Sequence, residues 1–257
     1  MAGSMIAASL GSTAAGADPY GRIAEADVGM KFKKDDISAK IFTQPWPADY
    51  PFPPSAFSRT DESDDSNFYD TPRFVYHIDE GAVRALTNYY KTTIADGSSI
   101  LDICSSWVSH YPDDFPKRMS RISATGMNAR ELAANSQLSD FKPRNLNVEP
   151  KLPFDDGSFD VVTCVVSVDY LTKPLEVFKE VRRVLKPGGR FILSQSNRCF
   201  PTKAIRMWLG MGDLEHCLVI GAYFHYAGGW GSARAFDVSP SGPNTHDPLF
   251  IVEATRE

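Results

Sequence analysis

The chain has 257 residues, of which 42% are hydrophobic and 23% charged, the balance of a folded globular protein with one substantial core. Its net charge of −5 argues against a dedicated nucleic-acid binder, which presents a basic face. No run approaches the ~18 apolar residues of a membrane helix, and four cysteines without C-x-x-C spacing exclude a disulfide framework or a zinc site.

Residues 1–66 are expected to form a Pro-rich N-terminal arm, extended or partly disordered. The arm opens with an Ala/Ser/Gly-rich stretch that ends like a targeting peptide but lacks its basic start. QPWPADYPFPP at 44–54 holds five prolines in eleven residues, which rules out a helix interior or a central strand. The acidic run DESDDS at 61–66 reads as solvated, whereas Trp46, Tyr50 and Phe52 favour an arm that docks.

From residue 67 to 257 the pattern is that of an α/β domain. FYDTPRFVYHIDEGAVRALTNYYKTTI at 68–94 is helical in pattern, with Val83, Leu86 and Tyr90 on one face. SILDIC at 99–104 and RISATG at 121–126 are short apolar strands, followed by a helix over NARELAANSQL and a short strand near 144–146. FDVVTCVVSV at 159–168 is a continuous apolar run, as in a strand buried on both faces. PLEVFKEVRRVL is an amphipathic helix with Pro174 in its first turn and Gly188-Gly189 as its stop. RFILSQS at 190–196 is the next strand, and CLVIGAYFHY and PLFIVEAT read as a closing strand pair. This alternation predicts a Rossmann-like, doubly wound, mostly parallel seven-stranded sheet with an antiparallel edge strand. Ligands in such sheets sit outside the carboxyl ends of the strands, so the residues directly after each strand are the candidates.

Two of these segments carry a family resemblance. KLPFDDGSFDVV at 151–162 and EVRRVLKPGGRFILS at 180–194 resemble class I S-adenosylmethionine (SAM)-dependent methyltransferases of the type-11 group. The resemblance covers about residue 68 onward and implies SAM as cofactor and methyl transfer to a small-molecule acceptor. The family's first loop, LD-x-G-x-G-x-G, is LDICSSWVSH here, with Cys104, Ser106 and Val108 in place of the glycines. A non-glycine residue forced to left-handed φ costs ~1–2 kcal/mol. A loop on another path would let the Ser105, Ser106 and Ser109 hydroxyls supply donors, with Trp107 packing beside the cofactor. SSW-x-SH resembles a plant, algal and cyanobacterial branch of the family.

Carried over residue by residue, the resemblance implies a cofactor site made of Asp102, Cys104, Ser105, Ser106 and Trp107 in the first loop. Gly126, Met127 and Asn128 follow the second strand, where the family places an acid on the ribose. Asn145, Leu146 and Asn147 stand near the adenine, and Arg73 and Ser167 complete the set. His77, Asp169 and Tyr170 are the catalytic candidates, should the acceptor carry a proton that must leave. His110, Asn197 and Arg198 are the substrate candidates, the arginine suited to an anionic acceptor by bidentate contact. Asp169 as a helix cap, His77 as a packing residue and Arg198 as a structural ion pair are the competing readings.

Two functions remain open at this point. One is a SAM-dependent methyltransferase, soluble and intracellular, in cytoplasm or plastid. The other is a methyltransferase-fold protein without catalysis that meets a protein partner through its arm. No metal is expected.

Overall fold

The computed structural model describes residues 31–241 and 246–257. The targeting-like start of the arm lies outside the described residues. The rest of the arm supplies β1 (Asp35–Asp36), α1 (Ser38–Ile41), a 3-10 turn (Pro54–Phe57) and α2 (Asp65–Tyr69). The helix expected across 68–94 is divided. Pro72 stands in the gap, and α3 runs only over Glu80–Thr93, with the Asp79 carboxylate accepting from Ala82 N as its N-cap.

Strands and helices then alternate: β2 (Ser99–Ile103), α4 (Phe115–Arg118), β3 (Arg121–Thr125), α5 (Ala129–Ala134), β4 (Asp140–Phe141), β5 (Phe159–Val165), α6 (Pro174–Val184) and β6 (Leu185–Gln195). They are followed by α7 (Arg206–Leu209), α8 (Asp213–Ala227), β7 (Arg234–Asp237) and β8 (Phe250–Thr255). The third strand of the domain, expected near 144–146, is thus earlier in the chain, at β4.

The eight strands of the described residues, one more than expected because the arm adds β1, form one sheet in the order β1-β7-β8-β6-β5-β2-β3-β4. The five from β6 to β4 are parallel. β8 runs antiparallel to both β6 and β7, and the two-residue β1 adds an antiparallel edge. The chain moves from β2 to β3 on one side and returns to β5 on the other, so the switch point lies between β2 and β5.

Alternate side chains of the central strands enter two cores, one on each face of the sheet. Phe191 and Leu193 join one core with α6 and α8, while Ile192 joins the other with α3.

One expected strand is a helix. CLVIGAYFHY lies inside α8, and the strand that pairs with β8 is β7. A continuous apolar run has no period that separates a strand from a buried helix. Here neighbours cover much of the helix, and its solvent side still carries apolar Leu214 and Leu218, so the period is lost. Phe178 of α6 packs on Phe224 with ring centroids 4.9 Å apart. The arm covers another flank: Trp46 stacks on His225 at 5.5 Å, and Tyr50 meets Tyr226 at 5.1 Å. Phe42 presses on Gly221, where any Cβ would overlap its ring. The arm's aromatics therefore bury α8 of their own chain.

Candidate active site

A cavity of about 250 Å³ opens beyond the carboxyl ends of the parallel strands. Its wall takes Cys104, Ser105, Ser106, Val108 and His110 from the loop after β2, and Gly126, Met127, Asn128 and Glu131 from the loop after β3 and the start of α5. Arg144, Asn145, Leu146 and Asn147 follow β4, and Val166, Ser167, Tyr170 and Leu171 follow β5. Arg198, Cys199 and Phe200 follow β6, and Arg59, Asp65, Tyr69, Arg73 and His77 close the cavity from the N-terminal side.

The first loop keeps the strain that glycine would have relieved. Cys104 has φ 54° and His110 φ 59°, both in the left-handed region. Its serines fix the loop and do not face a ligand as free donors. Ser105 Oγ donates to Asp102 at 2.6 Å, Ser106 Oγ donates to Glu131 at 2.6 Å, and Ser109 Oγ accepts from Asn135 Nδ2 at 2.9 Å. Asp102 also accepts from Thr163 Oγ1 at 3.0 Å. Burial pushes its carboxyl up to about 6, against the pull of these hydroxyls. Gly126 is required where the second loop crosses the first, since a Cβ there would overlap the Ser105 carbonyl oxygen.

Asn128 caps α5, its Oδ1 accepting from Arg130 N at 2.9 Å and Glu131 N at 3.2 Å. Its Nδ2 donates to the carbonyls of Tyr69 at 2.7 Å and Asp70 at 3.1 Å. All four hydrogen-bonding positions of the amide are thus used within the chain. Asn147 is similarly committed. It donates to Asp65 Oδ2 at 3.0 Å and Tyr170 O at 2.9 Å, and accepts from Thr172 N at 2.8 Å. Asn145 Oδ1 accepts from Asn147 N at 2.9 Å and shapes the same turn.

Among the described residues, three buried polar atoms of cavity-lining side chains lack a hydrogen-bond partner: Arg59 Nε, Arg73 Nη1 and His110 Nδ1. Of these, Arg59 Nε lies 3.5 Å from the Glu62 carboxylate. The Arg73 guanidinium lies 4.3 Å from the Phe68 ring centroid and 5.5 Å from that of Phe200. Burial pushes the His110 imidazole down to about 3, and it also lowers His77. Both rings are therefore neutral near pH 7, with a lone pair available. Tyr170 OH accepts from Phe200 N at 2.8 Å. Arg198 lines the wall and also donates to Asp247 at 2.9 Å, so its structural ion pair and its place in the cavity coexist.

Three expected site residues lie outside the wall. Trp107 is fully buried behind the first loop, donating to Val75 O at 3.0 Å and packing 5.0 Å from Tyr76, because the loop turns its indole toward the segment before α3. Asp169 points into the core, where desolvation raises its carboxyl to about 8. Asn197 is exposed outside the cavity.

The sequence reading missed Arg59, Asp65, Tyr69, Glu131 and Phe200. Asp65 stands in a run that looked solvated, yet it is buried between Arg59 Nη1 at 2.6 Å and Lys203 Nζ at 3.3 Å. Arg59 is near in sequence, but nothing local to DESDDS signals the remote Lys203. Glu131 had one legible sign, an acid in the first turn of the helix that follows a parallel strand.

Fold and site define a Rossmann-like α/β protein with a cavity walled by the switch-point loops. Residues 103–193 match the family model described as a methyltransferase domain, type 11. Over that segment the chain is similar to SAM-dependent methyltransferases of the type-11 group.

A stretch of 66 residues is 33% identical to malonyl-[acyl-carrier protein] O-methyltransferase of Marinomonas sp., covering 26% of this chain and 24% of that one. Another of 43 residues is 49% identical to a sterol 4-C-methyltransferase of Caenorhabditis elegans, covering 17% and 13%. The matches thus span a quarter or less of these relatives. A SAM-dependent methyltransferase from Aquifex aeolicus superposes with a TM-score of 0.49 at 17% identity, covering 80% of this chain and all of that one. No helix among the described residues is long and apolar enough to cross a membrane.

Proposed function

We propose that this chain binds SAM in the cavity and transfers its methyl group to a small-molecule acceptor. The observation that carries the reading is a pair of orphaned polar atoms, Arg73 Nη1 and His110 Nδ1, buried on side chains that line the same cavity. Buried polar groups without partners are costly and mark places where a ligand completes the bonding. A guanidinium suits a carboxylate, and a neutral imidazole accepts from an ammonium. Together they match the α-amino acid end of SAM, and Asn145 and Leu146 line the side assigned to adenine.

When bound, the cofactor supplies an electrophilic methyl group on its sulfonium. The chain supplies position. Tyr170, Phe200 and Arg198, from the loops after β5 and β6, line the cavity, and in this reading they face the acceptor, with the arginine orienting an anionic group. His77, held neutral by burial, is the base for an acceptor that must lose a proton. Holding acceptor and methyl in line supplies much of the acceleration. Asp169, protonated and turned into the core, supports the loop and does not take the proton.

The relatives named above act on different acceptors, so the acceptor is left at its class. The proposed setting is a soluble compartment, cytoplasm or plastid, the latter resting on the SSW-x-SH resemblance.

Calorimetric titration with S-adenosylhomocysteine tests the reading. Micromolar binding, weakened at least tenfold in Arg73→Ala, is the expected result. No binding at millimolar ligand would overturn it and leave a methyltransferase fold without catalysis, acting through a partner.

A further inference from the structure

The cavity wall contains three carboxylates among the described residues: Asp65, Asp102 and Glu131. They differ in what they have left to offer. Asp65 is neutralised by Arg59 and Lys203 and also accepts from Asn147. Asp102 lies at the base of the first loop, 1% exposed, and accepts from Ser105 and Thr163.

Glu131 stands one helical turn beyond Asn128 in the first turn of α5. It accepts one bond per oxygen: Oε1 from Arg73 N at 2.6 Å and Oε2 from Ser106 Oγ at 2.6 Å. A carboxylate has about four acceptor positions, so each Glu131 oxygen retains a lone pair, and the side chain borders the cavity. Asn128, by contrast, has no free position.

We infer that Glu131, and not Asn128, receives the vicinal ribose hydroxyls of the cofactor. The inference rests on the reading that the cavity holds SAM. A vicinal diol presents two donors on adjacent carbons, and two carboxylate oxygens with a lone pair each are the complementary acceptor. The bond from Ser106 then has a second use, since it turns Glu131 toward the first loop and ties both ends of the cofactor site together. The acid this cofactor needs is thus displaced by one turn of helix, and the vacated position holds the arm.

The experiment is a cycle of protein and ligand. Glu131→Gln and the wild type are titrated calorimetrically with S-adenosylhomocysteine and with its 2′,3′-dideoxyribose analogue. Glu131→Gln is expected to weaken S-adenosylhomocysteine by about tenfold or more, the loss of charged hydrogen bonds, and the analogue by less than about twofold. Equal weakening of both ligands would overturn the inference and make Glu131 a structural residue only. If Glu131→Gln does not fold, the wild type and Glu131→Asp decide the question. The wild type must prefer the hydroxylated ligand by about tenfold or more, and Glu131→Asp must lose part of that preference. Equal affinities in the wild type would overturn the inference while leaving SAM binding intact. Failure of the wild type to bind either ligand would instead remove the functional proposal on which it rests.

Discussion

The side-chain amide of Asn128 donates to the backbone carbonyl of Tyr69 over 2.7 Å, fastening the N-terminal arm across the mouth of the cavity. The residue that sequence position assigned to the ligand is occupied by the chain itself. It also caps α5, so one side chain sets both the start of a site helix and the course of the arm.

Asn128→Ala is therefore expected to lower stability by about 1–3 kcal/mol, through loss of a helix cap and of two bonds to the arm. It should also speed proteolytic cleavage between residues 59 and 73 and weaken S-adenosylhomocysteine by releasing the arm. His216→Ala is the control. That ring stacks on Trp208 at 3.8 Å, remote from the cavity wall, so its loss lowers the melting temperature and leaves ligand affinity unchanged. Equal effects of the two variants on affinity would show that the site has been misplaced.

Asp169 gives the protein a pH-dependent stability. Its carboxyl is raised from an ordinary 3.8 to about 8 by desolvation. The folded state keeps a proton that the unfolded state has lost, so its contribution is full below pH 4 and disappears as pH rises to about 8. Asp169→Asn removes this titration. Its stability relative to wild type, measured by urea unfolding, should increase steadily from pH 4 to 8, by several kcal/mol at the order-of-magnitude level. A constant difference across that range would refute the assignment.

Lys203 has no solvent exposure, and its ammonium lies 3.1 Å from Asp61 and 3.3 Å from Asp65. Lys203→Met leaves these carboxylates with less compensation, so a loss of about 3–5 kcal/mol is expected. The lesion should reach the cavity through Asp65 and Asn147. A shift in urea midpoint with the slope unchanged would confirm a stability effect without partial unfolding.

Gly221 and Phe42 test whether the arm packs on α8 in solution. Gly221→Ala alone should destabilise by about 1–3 kcal/mol, because the added Cβ meets the Phe42 ring. In a Phe42→Ala background the ring is gone. The same substitution should then stabilise by up to about 1 kcal/mol, the ordinary helical preference of Ala over Gly. A change of sign in thermal melts is the diagnostic result.

Some of this was legible in the sequence because its causes are local. FDVVTCVVSV reads as a strand since β-branched residues bounded by turns fit a buried parallel sheet. PLEVFKEVRRVL reads as a helix since its spacing and its first-turn proline act within a few residues of one another, although the helix ends at Val184 and the expected glycine stop, Gly188-Gly189, lies within β6. The loops that wall the cavity were placed correctly for the same reason, because strand ends determine where ligands lie.

The segments read wrongly are those whose neighbours are remote. CLVIGAYFHY lies in a helix flanked by an aromatic arm and α6, and leucines on its exposed side as well remove the period on which the reading depends. Asp65 went underground because Lys203, far along the chain, joins Arg59 there. Asn128 turned from ligand to arm because two carbonyls reached it first. The sequence by itself determined the strand–helix alternation of β2, β3, β5, α6 and β6 and the edge of the sheet where the cavity forms, through propensity and periodicity. Only the tertiary structure decided which polar atoms at that edge remain free, because a hydrogen-bonding group satisfied by one partner is lost to another.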